Sequence, residues 1–79
     1  MRTKWGECTP LFEPHFLDRM DQRFLSLEQV QTALLEGNPE AEGKKGNDGS
    51  QDLKINWNKW ALKITRKPCH ITLRTAFHD

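Results

Sequence analysis

The fold is decided by residues 53–65, LKINWNKWALKIT, in which apolar and polar side chains alternate on both sides of Asn58-Lys59. Alternation with a period of two is typical of a β-strand with one buried face. A two-residue turn at Asn58-Lys59 sets Trp57 opposite Trp60, so the apolar residues of both strands share a face. We therefore expect a β-hairpin here.

A third strand is predicted downstream, where residues 70–78 alternate in the same way. A four-residue loop over residues 66–69 sets Thr65 opposite His70, which continues the register of the hairpin. That register adds three side chains to the apolar face: Ile71, Leu73 and Phe77.

Two helices are predicted upstream of the strands. Pro14 suits the first turn of a helix, and apolar residues recur at helical spacing from Pro14 to Leu25. Ser26 and Gln29 have the spacing of a capping box that begins a second helix. Gly37 is expected to end that helix in the left-handed conformation.

We predict a single α+β domain over residues 1–79, with two N-terminal helices (residues 14–37) packed on one face of a three- to four-stranded antiparallel sheet (residues 53–78). Residues 1–13 are expected to form an arm or an edge strand. Residues 38–52, which are polar and rich in glycine, are expected to form a loop.

Several classes of protein are not indicated by the sequence. No apolar run approaches the roughly 18 residues of a membrane span, and no signal peptide is recognisable, so we expect a cytoplasmic protein without a membrane partner. Cys8 and Cys69 are interpreted as free thiols. They lack close Cys-x-x-Cys spacing, and no nucleotide-binding fingerprint is present, so we expect neither a metal nor a small-molecule cofactor.

Charge is distributed unevenly along the chain. The net charge of +1 combines −4 over residues 1–52 with +5 over residues 53–79. A local surplus of cations favours an anionic partner. The alternative is that the acidic first half simply forms ion pairs with the basic strands.

The predicted register leaves one face of the sheet open, without a carboxylate before Asp79. Each of its residues taken alone is best interpreted as ordinary solvated surface, but a set of cations interspersed with hydroxyls and amides favours RNA. The side chains expected on this face are Lys54, Asn56, Lys63, Thr65, His70, Thr72, Arg74 and His78.

The same face suggests chemistry. Metal-independent RNA cleavage needs two proton-transfer groups, for which His70 and His78 are the candidates, and cations on the phosphate, for which Lys63 and Arg74 are the candidates. RNA-binding roles are predicted for Lys54, Lys63, Thr72 and Arg74, and for a ridge at i, i+4 and i+8 on the first helix formed by His15, Arg19 and Arg23.

The ridge, the segment SLEQV at residues 26–30 and the strand segment Ile71-Thr72-Leu73 resemble an uncharacterised bacterial domain family. That family is similar in layout to the RelE and BrnT toxins, small ribonucleases of toxin–antitoxin systems. The resemblance implies a RelE-like fold, endoribonuclease activity and an antitoxin partner. The chain departs from such toxins in its acidic first half and its lack of tyrosine. A non-catalytic protein-interaction module, or a purely structural domain, remains the alternative function.

Overall fold

The computed structural model describes residues 1–68 and 70–78. Cys69, predicted to be a free thiol, and Asp79 lie outside the described residues. The elements, in chain order, are β1 (Arg2–Thr3), β2 (Gly6–Glu7), β3 (Thr9–Phe12), α1 (Pro14–Gln22), α2 (Leu27–Glu36), β4 (Asn38–Ala41), β5 (Gln51–Trp57), β6 (Trp60–Lys67) and β7 (His70–His78).

The described residues form a five-stranded mixed sheet in the order β3-β7-β6-β5-β4, and a separate two-stranded sheet of β1 and β2. β3 is parallel to β7, and the other neighbours in the large sheet are antiparallel. The predicted fold of two N-terminal helices on a three- to four-stranded antiparallel, RelE-like sheet is therefore wrong. Three strands precede the helices, and the sheet is mixed because β3 enters it beside β7.

The two edge strands have weak sequence patterns for the same physical reason: β3 was expected only as an arm or an edge strand within residues 1–13, and β4 was not predicted. β3 and β4 have four residues each, too few to show alternation, and each contains a proline, Pro10 and Pro39. Proline has no N–H to donate to a ladder and is confined largely to sheet edges. Residues 38–41, assigned to a polar loop from their composition, instead pair with β5.

The β5–β6 hairpin has the predicted register, with Trp57 opposite Trp60 and Asn58 in the left-handed region at φ 56°. The next connection is tighter than expected, because Lys67 pairs with His70 and Thr65 pairs with Thr72. Because side chains alternate with a period of two, a register shift of two residues leaves the side chains of the first part of β7 on the faces predicted for them.

A β-bulge then exchanges the faces of β7. Ile64 pairs with Leu73 but Lys63 pairs with Thr75, so Arg74 is an extra residue on β7. Beyond it Phe77 pairs with Ala61 on the open face, and His78 pairs with Trp60 on the helix-covered face. The predicted positions of Phe77 and His78 are therefore wrong, because a bulge interrupts the period of two.

The helices begin as the sequence predicts. Ser26 Oγ accepts from the Gln29 N–H at 3.1 Å, and the Gln29 side chain accepts from the Ser26 N–H at 2.9 Å, which confirms the capping box. Gly37 has φ −65° rather than the predicted left-handed value. Glycine is required there because a Cβ would overlap the Ala33 carbonyl and Ile55 Cγ2.

The core lies between the helices and one face of the large sheet. Its largest fully buried side chains are Phe16, Val30, Leu34, Ile55, Leu62, Ile64, Ile71 and Leu73. Burial of apolar surface on this scale is the main stabilising contribution in a domain of this size. No helix of the described residues is long and apolar enough to cross a bilayer.

The β1–β2 hairpin packs against the end of α2. The Lys4 N–H donates to the Leu34 carbonyl at 3.0 Å, and the Lys4 ammonium donates to the Gly37 carbonyl. On the large sheet, the Arg66 guanidinium lies 5.1 Å from the Trp5 ring centroid, a cation–π contact that links the hairpin to β6.

Candidate nucleic-acid interface

The open face is the surface of the large sheet that the helices do not cover. Residues paired across neighbouring strands share a face, so the registers assign each side chain. The open face comprises Thr9 and Leu11 on β3, Asn38 and Glu40 on β4, Asp52, Lys54 and Asn56 on β5, Ala61, Lys63, Thr65 and Lys67 on β6, and His70, Thr72, Arg74, Thr75 and Phe77 on β7.

Two lysines lie directly opposite each other at the centre of this face, because Lys54 on β5 pairs with Lys63 on β6. Like charges at opposed positions repel, since their Cβ atoms are only about 4.5–5.5 Å apart. Thr75 on β7 and Glu40 on β4 complete the same row across the sheet. Glu40, the cross-strand partner of Lys54, and Glu42, whose carboxylate lies 3.1 Å from Lys63 Nζ, offset part of this repulsion.

Arg74 joins the cations of the open face through the bulge. Its Nη2 donates to the Ile64 carbonyl at 3.1 Å and lies 3.9 Å from Asp52 Oδ1, which also accepts from the Thr65 hydroxyl at 2.6 Å. Nε of Arg74 is buried without a hydrogen-bond partner among the described residues. The guanidinium is thus held by one carbonyl and a distant carboxylate, and because Nε is buried, only its two Nη groups can donate to a ligand.

The prediction of an open face without carboxylates is wrong. Lys63 Nζ lies 3.1 Å from Glu42 Oε2, and Lys67 Nζ lies 3.0 Å from Asp48 Oδ2. Together with Asp52, these are all of the Asp and Glu residues between positions 42 and 52. The alternative drawn from the charge distribution, that acids of the first half pair with the basic strands, is correct for these cations.

Asp48 remains ionised well into the acid range. Hydrogen bonds from the Ser50 side chain and backbone N–H, and then the ammonium of Lys67, hold the pKa of Asp48 far below its usual value. The cause is that all three interactions favour the charged carboxylate. Asp48 therefore presents a negative charge to Lys67 from neutral pH well into the acid range.

The two histidines proposed for catalysis are separated. His70 is exposed on the open face, whereas the His78 ring contacts Trp60 on the other face, with ring centroids 4.4 Å apart. Eight residues of strand separate them, a distance of about 26 Å at 3.3 Å per residue. They cannot transfer protons at a single phosphate.

The helical ridge also lies away from the open face. Arg19 Nε donates to His15 Nε2 at 3.4 Å, and Arg19 Nη1 donates to Gln22 Oε1 at 3.3 Å. α1 packs on the helix-covered side of β7 through Phe16, which is fully buried. The structure therefore does not bring His15, Arg19 and Arg23 together with the cations of the sheet.

Phe77 and the acidic residues of the interface were missed by sequence reasoning. Asp52 is one step outside the predicted strand and continues its alternation with Lys54 and Asn56, so extending the pattern would have found it. Glu42 and Asp48 lie in a segment without periodicity, and Phe77 is turned by the bulge. The sequence around these three residues has no local pattern that predicts their place at the interface.

Comparison of this chain with protein-family models, with curated proteins and with solved structures finds no match. The resemblance to an uncharacterised bacterial family, and the antitoxin partner that it implies, stay predictions. Function is therefore inferred from the residues of the open face.

Proposed function

We propose that this protein binds RNA on the open face of its large sheet, with phosphates held by Lys54, Lys63 and Arg74. The observation that carries the proposal is the opposed Lys54–Lys63 pair beside the bulged Arg74. Three cations on three neighbouring strands, with threonine hydroxyls between them, match the contacts that proteins make to a nucleic-acid backbone.

The carboxylates near these cations weaken binding without abolishing it. The side chains of Lys63 and Glu42 keep 35% and 33% of their surface exposed, and Lys67 and Asp48 keep more. Exposed ion pairs contribute little to stability because water and salt screen them. A phosphate can therefore displace a carboxylate from Lys63 at small cost.

The geometry supports binding rather than cleavage. The toxin-type mechanism predicted from sequence requires His70 and His78 at one phosphate, and these residues lie on opposite faces. His70 alone could supply one proton transfer but not both, since the base and the acid act on opposite sides of the scissile bond. We expect a mixed RNA pool incubated with pure protein in EDTA to remain intact.

The experiment that tests RNA binding is fluorescence anisotropy of a labelled single-stranded RNA over a series of salt concentrations. Three phosphate contacts predict a slope of log K against log salt near −2, at about −0.7 per contact. Lys63→Gln and Arg74→Gln should each reduce both the affinity and the slope. Arg23→Gln, which removes the same charge from the end of α1, is the matched control. Failure of the wild type to bind at low salt would refute the proposal.

A second candidate function, association with another protein, is favoured by the corner between the helices. Phe24 is 90% exposed at φ 55°, and Leu27 is 56% exposed. A bulky exposed residue in the left-handed region is uncommon and costly. The simplest partner for this exposed apolar corner is a second copy of the chain. Sedimentation should then show a dimer, which Phe24→Ser converts to a monomer. A wild type that stays monomeric at high concentration would contradict this second function.

A further inference from the structure

We infer that the Phe77 ring stacks on a nucleotide base, so that the open face selects single-stranded RNA over duplex RNA. The inference rests on the proposed function and adds a class of substrate to it. It starts from the bulge at Arg74, which turns Phe77 away from the core. An uninterrupted strand would have placed this ring under the helices, where an aromatic side chain is ordinarily buried.

The surroundings of Phe77 suit a flat aromatic ligand. The ring is half-buried, and its cross-strand partner is Ala61, whose side chain is a fully buried methyl group. Asn56 follows in the same row on β5. The row therefore has an aromatic ring at one end and, at the other, a side-chain amide that can hydrogen-bond the edge of a base. The Ala61 methyl between them is covered and is not itself a contact surface for a ligand.

Cations lie next to this row. The Lys54 ammonium lies over the Phe77 ring, with Nζ 5.7 Å from the ring centroid, so a base that stacks on this face takes its place and leaves Lys54 free for a phosphate. The Lys54–Lys63 row lies two residues along the strands, about 7 Å away at 3.3–3.4 Å per residue. A base on Phe77 and a phosphate on the lysines can thus belong to one nucleic-acid strand.

A paired duplex would not fit this arrangement, because its base faces are covered by their neighbours in the stack. Aromatic stacking accepts any unpaired base and is worth about a tenfold change in affinity or more for each base. The open face should therefore prefer single-stranded RNA to duplex RNA, without a strong preference for sequence.

The test compares wild type, Phe77→Leu and Phe77→Trp for anisotropy of a single-stranded RNA 12-mer and of a hairpin duplex. Leucine keeps the apolar bulk but lacks a π face, so single-strand affinity should fall about tenfold while duplex affinity stays unchanged. Tryptophan should bind the single strand at least as tightly as phenylalanine does. Leu17→Ala, which removes an exposed apolar side chain from α1 on the helix-covered side of the sheet, is the matched control and should have no effect.

Each outcome of this test bears on the inference. Stacking would be overturned, with RNA binding left in place, by either of two results. The leucine variant could bind the single strand as tightly as the wild type does, or the wild type could bind single strand and duplex equally well. If the leucine variant fails to fold, the tryptophan variant decides, since a loss of affinity of more than threefold would overturn stacking. A wild type that binds neither RNA would overturn the proposed function and the inference together.

Discussion

His78 packs against Trp60 at the end of β7, with ring centroids 4.4 Å apart and ring planes at 66°. The two residues are cross-strand partners on the helix-covered face, and only 7% of Trp60 is exposed. Edge-to-face packing of this kind stabilises a sheet end by more than the buried area alone. The exposed His78 ring thus covers one side of Trp60 at the end of the core.

His78→Ala should therefore reduce stability and leave RNA binding unchanged. The loss of the aromatic contact should lower the free energy of unfolding by about 1 kcal/mol. Urea denaturation measures this change, and anisotropy measures the affinity. His70→Ala, on the exposed start of the same strand, should leave stability unchanged. If His78→Ala folds fully but binds RNA more weakly than the wild type does, the assignment of His78 to the helix-covered face is contradicted.

Neutralising Glu42 and Asp48, the carboxylates that pair with Lys63 and Lys67, should strengthen RNA binding. Glu42→Gln combined with Asp48→Asn frees Lys63 and Lys67 from carboxylates that otherwise compete with phosphate. We expect affinity for single-stranded RNA to rise about three- to tenfold, because two exposed ion pairs need no longer be broken. The salt dependence should become steeper, since more counterions are released on binding.

A control separates this local competition from net charge. Glu28→Gln combined with Glu36→Gln removes two exposed carboxylates from α2, on the other side of the sheet. Both double variants raise the net charge of the protein by two. Equal gains in affinity for the two variants would show a general charge effect and contradict competition at the open face. The pKa of Asp48 is lowered, so its competition with phosphate for Lys67 should persist down to about pH 4, where an ordinary aspartate is half protonated.

Gly37→Ala should destabilise the fold, although alanine is the better helix former. An added Cβ would overlap the Ala33 carbonyl and Ile55 Cγ2, where α2 meets β5. Overpacking at a buried position costs about 1–3 kcal/mol. Gly43→Ala is the comparison, because Gly43 has φ +79° and no neighbour within 4 Å of the added atom, so only backbone strain of about 1–2 kcal/mol applies. A Gly37→Ala variant as stable as the wild type would refute the close approach.

The parts of the fold that sequence reasoning found are those with local periodicity. The capping box at Ser26 and the hairpin around Asn58 each depend on residues two to four positions apart. β3 was expected only as an arm or an edge strand, and β4 was missed, because strands of four residues with a proline acquire their structure from the neighbouring strand. Their pairing is a tertiary effect that overrides weak local preference.

The candidate site was predicted only in part, for a different reason. Lys54, Lys63, Thr72 and Arg74 do share the open face, as the alternation implied. His78 was misplaced because one extra residue on β7 reverses every later side chain. The pairing of Glu42 with Lys63 spans 21 residues and could not be inferred from spacing.

The most direct test of RNA binding on the open face is methyl NMR of the protein with and without single-stranded RNA. The threonine methyl groups of Thr65, Thr72 and Thr75 report on the open face, while those of the exposed Leu27 and Leu35 report on α2. We predict that RNA shifts the threonine methyl resonances and leaves both leucines unchanged. Shifts confined to the leucine methyls, or no shift at saturating RNA, would contradict RNA binding at this face.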